Sequence, residues 1–165
     1  MNVEFINPFL ETIITVLSTM AKTKATPGTP FLKQGKAAKG DVTGVIGLTG
    51  DQAKGSLAIT FTEEAILHIV SLVLGETIRE VDATVADCVG EITNVVTGGA
   101  KRILSEQGYT FDLAIPTTIM GKNHTITHKT NGRTICIPFK TAAGDFFVEV
   151  CFEEKSNLSA GMRQG

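Results

Sequence analysis

One helical pattern, starting at Asp82 or Thr84 and running to about Gln107, limits what the rest of this chain can do. Wound at about 100° per residue, it gathers Val85, Val89, Ile92, Val96 and Ile103 into one apolar stripe. At about 1.5 Å per residue such a helix spans roughly 35–40 Å, enough to cross a whole domain, so the remaining elements must pack around it. Its opposite side is unusual. Asp87, Glu91, Asn94 and Gly98 fall on a second stripe, at spacings of four, three and four. A helix face that is merely solvated would carry the strong helix formers Lys, Glu, Gln and Ala. Gly98 and Gly99 each cost about 1 kcal/mol relative to alanine inside a helix. A need other than helix stability is therefore expected along this stripe.

The chain has 165 residues, 42% hydrophobic and 19% charged, which fits one ordered domain with a real core. A formal charge of −2 without a basic block argues against nucleic acid and anionic membranes as partners. No run reaches the roughly 18 apolar residues of a spanning helix. The start, Met1-Asn2-Val3-Glu4, lacks the positive charge that opens a signal peptide. Cys88, Cys136 and Cys151 are unclustered, with no CxxC, as expected of a reduced cytoplasmic protein.

In chain order, Asn7-Pro8 reads as an N-cap and first helical position, opening an apolar helix to about Met20. Residues 21 to 40 read as a loop with a short edge strand at Thr29–Lys33. Val42–Leu48 and Ser56–Phe61 read as a hairpin, in which Gly44, Gly47 and Gly55 mark close backbone approach or bends. Thr62 caps a helix from Ala65 to Leu74 that stops at Gly75, and Gly108 closes the long helix. Four strands follow: Asp112–Met120 interrupted by Pro116, Thr125–His128, Arg133–Lys140 and Gly144–Phe152. Asn131-Gly132 and Ala143-Gly144 give turns. Strands and helices are segregated more than alternated. The fold class is therefore α+β, a mostly antiparallel sheet packed with a long central helix and two other helices. One domain over residues 1–153 and a disordered polar tail over 154–165 are expected.

Several chemistries can be set aside. His124 and His128 lack a carboxylate or Cys at ligand spacing and read as two exposed histidines near a loop, so no metal site is expected. His68 reads as a structural or surface residue of its helix. Cys136 and Cys151 alternate with apolar residues and read as core cysteines; no His or Lys stands near Cys88 to activate it. There is no phosphate-binding glycine loop. Glu91 and Asn94 remain. The pattern Glu-x-x-Asn alone carries no weight, because Glu4…Asn7 and Glu154…Asn157 also match it. Only Glu91…Asn94 sits mid-helix, opposite the apolar stripe and one turn before a glycine.

Asp87-x-x-x-Glu91-x-x-Asn94 followed by Pro116 resembles the signature of the CheC/CheX/FliY phosphatases of bacterial chemotaxis. The single motif copy and short chain resemble the CheX branch. Further stretches share the likeness: Ile6-Asn7-Pro8-Phe9, Val73-Leu74-Gly75-Glu76, Val89-Gly90-Glu91-Ile92-Thr93-Asn94, Gly99-Ala100-Lys101 and Ala114-Ile115-Pro116-Thr117. It covers roughly residues 1 to 152, and Pro116 is read as structural.

The resemblance implies a protein phosphatase acting on the aspartyl phosphate of a CheY-like response regulator. It implies that Asn94 orients the attacking water and that Glu91 pairs with the regulator's Lys to set the docking register. Asp87 would serve partner contact, and Gly98 would give clearance for the partner's loops. No cofactor is expected on this chain; Mg²⁺ is expected on the partner. A homodimer joined at least partly through sheet edges is also implied. The residue chemistry is compatible with that role: an amide both accepts and donates hydrogen bonds and does not titrate near neutral pH. A noncatalytic module that binds receiver domains or flagellar switch components is the alternative.

Overall fold

Apolar periodicities on strands and helices alike converge on one face of one sheet. The computed structural model describes residues 3–51, 53–128 and 132–154. Its elements are α1 (Val3–Ala21), β1 (Thr26–Pro27), β2 (Phe31–Leu32), β3 (Val42–Gly50), β4 (Ala53–Phe61), α2 (Glu63–Leu74), α3 (Ala83–Glu106), β5 (Phe111–Leu113), β6 (Thr117–Met120), β7 (Ile135–Lys140) and β8 (Asp145–Glu154). The sheet runs β1-β7-β8-β4-β3-β5, with β2 also pairing β7 and β6 also pairing β3. Each of these pairs is antiparallel. The α+β class, the long central helix and its two companions stand as the sequence predicts.

Alternation divides the sheet into two faces. Ile46, Leu48, Leu57, Ile59, Phe61, Ile137, Phe139, Phe146, Val148, Val150 and Phe152 share one hydrophobic cluster with the buried stripes of α1, α2 and α3. Local chemistry ends the helices where expected. Thr62 Oγ1 accepts from the Ala65 amide and Asp82 Oδ1 from the Val85 amide, at the N-termini of α2 and α3. Gly75 stops α2 at φ +71°, and Gly108 follows α3 at φ +93°.

The departures from expectation have physical causes. α1 begins at Val3, with Pro8 inside it and Asn7 on its exposed side. Phe5 and Ile6, upstream of the proline, are buried, and the Phe5 ring stands 4.7 Å from Tyr109 and 5.7 Å from Phe152. Aromatic burial therefore extends the helix past a residue that usually opens one. At the far end, Leu104 takes the buried position expected of Ile103. The edge strand expected at Thr29–Lys33 is shorter, β2 at Phe31–Leu32, and β1 at Thr26–Pro27 precedes it unforeseen. The β3–β4 hairpin is longer than expected, its strands reaching Gly50 and starting at Ala53. The strand β8 continues through Glu153 to Glu154, so the expected tail would begin no earlier than residue 155, outside the described residues. Asn131 of the expected Asn-Gly turn also lies outside them.

The largest correction concerns the second face of the sheet. Thr125–His128 forms no strand; it makes an isolated bridge between Thr125 and Ala37. Its histidines replace the ladder. The His124 ring bonds Thr43 Oγ1 and, 2.6 Å away, the Gly121 carbonyl. His128, expected to be exposed, has a side chain only 7% accessible. Its Nε2 donates to Glu149 Oε1 at 3.1 Å, since a carboxylate can only accept, and its Nδ1 bonds the Ser56 hydroxyl. Lys33 Nζ donates to Glu149 Oε2 at 2.7 Å, and both of these side chains are buried. Burial acts to raise the Glu149 pKa. The hydrogen bonds and charges of His128 and Lys33 outweigh it and hold the carboxyl below its ordinary 4.5. Cys136 and Cys151 lie on this polar face and not in the main core, although both are buried.

Because the folded pKa of Glu149 is depressed, its contribution to stability is complete above the unfolded value and lost as pH falls through the folded one. Glu149→Gln leaves Lys33 without its counter-charge and should destabilise the fold by about 3 kcal/mol at pH 7. Urea unfolding should show that difference shrinking as the pH falls below the ordinary carboxylate range. An unchanged midpoint at pH 7 would mean that the clamp contributes nothing.

Candidate functional site

The long helix is set directly on the sheet because β3 has no side chain at Gly44, beneath the Val89–Thr93 turn. A Cβ on Gly44 would stand 3.2 Å from Val89 Cγ1 and 3.2 Å from Thr93 Cβ, tighter than ordinary packing. Gly44 thus provides the close approach expected of it. From the neighbouring lane, Thr118 of β6 donates its hydroxyl to the Ala86 carbonyl of α3 at 3.2 Å. The buried threonines of α3 satisfy themselves locally: Thr93 Oγ1 donates to the Val89 carbonyl, and Thr97 Oγ1 to those of Thr93 and Asn94. The Asn94 backbone is therefore held from within its own helix and seated on a sheet that leaves it little room to move.

The polar stripe is brought together as predicted. Asp87, Glu91, Asn94 and Gly98 are all exposed, along more than three turns of one rigid helix. Among the described residues, no side-chain hydrogen bond or ion pair engages Asp87, Glu91 or Asn94. A carboxylate and an amide one turn apart thus face outward with their hydrogen-bonding capacity unspent. The adjacent glycines differ sharply. A Cβ on Gly98 would meet nothing within 4 Å, so the surface above it is open. On Gly99 it would stand 2.6 Å from Thr12 Cγ2, so this glycine serves the contact between α3 and α1.

Nothing around the stripe activates a nucleophile. Burial, and then the charge of Glu91, push the Cys88 thiol up. Burial, with Glu149 beside it, pushes Cys136 up to about 11 against the opposing charges of Lys39 and Lys33, and burial likewise raises Cys151. Raised thiols are poor nucleophiles at neutral pH. His68 is exposed on α2. Among the described residues, no three His, Cys, Asp or Glu side chains are grouped to hold a metal ion. Among the described residues, no helix is long and apolar enough to cross a membrane.

Sequence reasoning finds the stripe through its periodicity but misses what surrounds it. Leu48 pairs with Leu113 and Val45 with Thr117, so Ile46-Gly47 faces three residues, Ala114-Ile115-Pro116. That extra residue is a β-bulge in the lane beside α3. Pro116, read as structural, stands within it. The only signal in the sequence is the proline that interrupts an otherwise continuous strand pattern.

Comparison with known proteins agrees with this architecture. The family description "Chemotaxis phosphatase CheX" matches residues 42–140. No match was found among curated proteins. Among solved structures, a CheC-like superfamily protein from Shewanella sp. PV-4 is 54% identical, with a TM-score of 0.87 over 93% of this chain and 99% of that one. The chemotaxis protein CheX from Vibrio vulnificus is 49% identical, with a TM-score of 0.85 over 91% and 99%. A CheX solved as a CheX–CheY–BeF3–Mg²⁺ complex from Borrelia burgdorferi is 27% identical, with a TM-score of 0.77 over 91% and 98%. A long helix seated on a glycine of an antiparallel sheet, its Glu91–Asn94 stripe facing outward, thus occurs in a chain that belongs to the CheX family of chemotaxis phosphatases.

Proposed function

We propose that this chain dephosphorylates the aspartyl phosphate of a CheY-like response regulator by holding the attacking water in line. The observation that carries the reading is the outward Glu91–Asn94 pair, without internal partners, on a helix fixed at Gly44. An acyl phosphate is already reactive, so the chain needs to supply positioning more than covalent chemistry. The Asn94 amide oxygen accepts a hydrogen bond from the water while its NH₂ donates to a phosphoryl oxygen. The water oxygen forms the new P–O bond, and the bond to the regulator's aspartate breaks with its electron pair returning to the carboxylate. The water's surplus proton leaves with phosphate or to solvent. Glu91 pairs with a lysine of the regulator and fixes the register. Asp87, a turn upstream, extends that contact. Mg²⁺ belongs to the regulator, as the complex from Borrelia burgdorferi suggests by analogy. This reading also places the chain in the cytoplasm.

Asn94→Ala should lower the rate of phosphate loss from a cognate phosphorylated receiver about a hundredfold, because the water loses its orientation. Binding of the activated receiver should largely persist. If the wild-type protein gives no acceleration over the receiver's own hydrolysis, the chain is a noncatalytic receiver-binding module.

Gly98 separates fold from function. Leucine there should stabilise α3 by up to about 0.8 kcal/mol, since nothing in this chain obstructs it and its helix propensity is higher. It should nonetheless lower kcat/KM at least about tenfold by blocking the partner's approach. A Gly98→Leu protein that is more stable and equally active removes the clearance role.

A homodimer is part of the same proposal. Both sheet edges are interrupted, leaving Phe31–Leu32 and Thr117–Met120 as the edge segments that a second copy can pair with. Sedimentation at micromolar concentration should give twice the chain mass of 17.5 kDa, and a monomeric mass rejects the dimer.

A further inference from the structure

The bulge between β5 and β6 does more than interrupt an edge. Leu113 packs against the hydrophobic core on the helix side of the sheet. Ala114 lies on the other side, where its Cβ is 3.8 Å from the place a Gly47 side chain would occupy. The Ala114 amide bonds the Gly47 carbonyl at 3.0 Å, which fixes the bulge to β3. Ile115 and Pro116 follow outside either strand, in the gap between β5 and β6. Beyond the gap Thr118 is back on the helix side, where its hydroxyl reaches the Ala86 carbonyl of α3. The extra residue thus breaks the alternation in the lane beside α3, as bulges do when they re-aim a side chain.

Their position along α3 follows from register. Thr118 pairs with Gly44, whose open face receives Val89 and Thr93. Ala114-Ile115-Pro116 lies opposite Ile46-Gly47, further along β3 in the direction in which α3 runs from Val89 to Thr93 and beyond. The segment that carries Ile115 therefore lies in the lane beside α3, near the level of Asn94. It is 90% exposed, the most exposed of the large hydrophobic side chains in the described structure. Across the polar stripe, Val95 is 37% exposed on the shoulder of α3 that turns toward α1. Two apolar points thus bracket Glu91 and Asn94. An isoleucine almost wholly in water gains nothing from folding, and a proline and a bulge hold it there.

Resting on the phosphatase reading above, we infer that Ile115 is an apolar docking anchor for the phosphorylated receiver domain, taking an apolar side chain on the rim of the receiver's phosphorylation site. Burying this side chain drives association without touching the reacting atoms. It completes an arrangement common at protein interfaces, apolar contact beside charged and amide groups that set register. Ile115 is thus a specificity residue. It discriminates receivers by the side chain they present and leaves the chemical step to Asn94.

The test uses the full-length chain with a receiver that it dephosphorylates. Ile115→Asp and Ile115→Ser should fold with unchanged thermal stability, because the side chain contacts solvent. For both, KM for the phosphorylated receiver should rise about tenfold with kcat unchanged, and affinity for the beryllofluoride-activated receiver should fall by a similar factor. Unchanged KM and affinity in both variants, while Asn94→Ala abolishes turnover, overturn the docking role and leave the phosphatase reading intact. A change in sedimenting mass instead of in KM assigns Ile115 to a contact between two copies of this chain and also overturns the inference. Failure of the wild-type protein to accelerate dephosphorylation of any receiver is a different result, and it counts against the phosphatase reading itself.

Discussion

The contact between Gly44 and the Val89–Thr93 turn is the constraint on which the functional face depends. A side chain at position 44 of β3 would lift α3 off the sheet, because its Cβ would fall inside the contact distance of both Val89 and Thr93. Lifting the helix would also draw Ala86 away from Thr118 and change the angle at which the polar stripe leaves the surface. A glycine in a strand interior is unfavourable by itself. Here it is compensated by burial: Val85, Val89, Ile92, Val96 and Leu104 all lose their solvent, at about 25 cal/mol per Å² of apolar area. The energy that seats the helix and the precision that orients Asn94 thus come from one interface.

The same helix-side core explains why the other face of the sheet is polar. Three helices cover one side of the sheet, leaving the opposite side of β8 and β4 to be covered by loops. Loops bring backbone groups and short polar side chains, which must be hydrogen-bonded when buried. Lys33, His128, Ser56 and Glu149 meet that requirement together, and Thr43, Thr60 and His124 do so one lane away. The resulting clamp ties segments far apart in sequence to the middle of the sheet. It lies on the face opposite α3, so it supports the strands under the helix without sharing in the site.

What was legible in the sequence is what depends on near neighbours. Thr62, Gly75, Asp82 and Gly108 end helices by bonds within one turn, and the stripe from Asp87 to Gly98 needs only helical periodicity. Features that depend on distant register escaped. His128 looked like an exposed loop residue because its partners, Ser56 and Glu149, come from two different strands. The β5–β6 bulge exists only relative to β3, so no count within 111–120 could have located its extra residue. Pro8 misled for a related reason, since the burial of Phe5 against Phe111 and Phe152 decides where α1 begins.

Gly98 and Gly99 carry the same ambiguity to its end. In sequence they are one feature, two poor helix formers side by side, and propensity assigns both the same penalty. A rotation of about 100° separates them on the helix, and that angle decides their meaning. Gly99 turns toward Thr12, where a methyl group has no room, so packing within the chain accounts for it. Gly98 turns to open solvent, where a methyl group would stabilise the helix and meet nothing. No interaction inside this chain explains why alanine is absent there. A glycine whose cost has no return within its own fold points to an interaction made outside it, and it lies on the same stripe as the unpartnered amide and carboxylate one and two turns away. Glu91, Asn94 and Gly98 thus share one deficit, each left without a use inside the fold on a helix whose opposite face is fully packed, and a partner at that face would supply it.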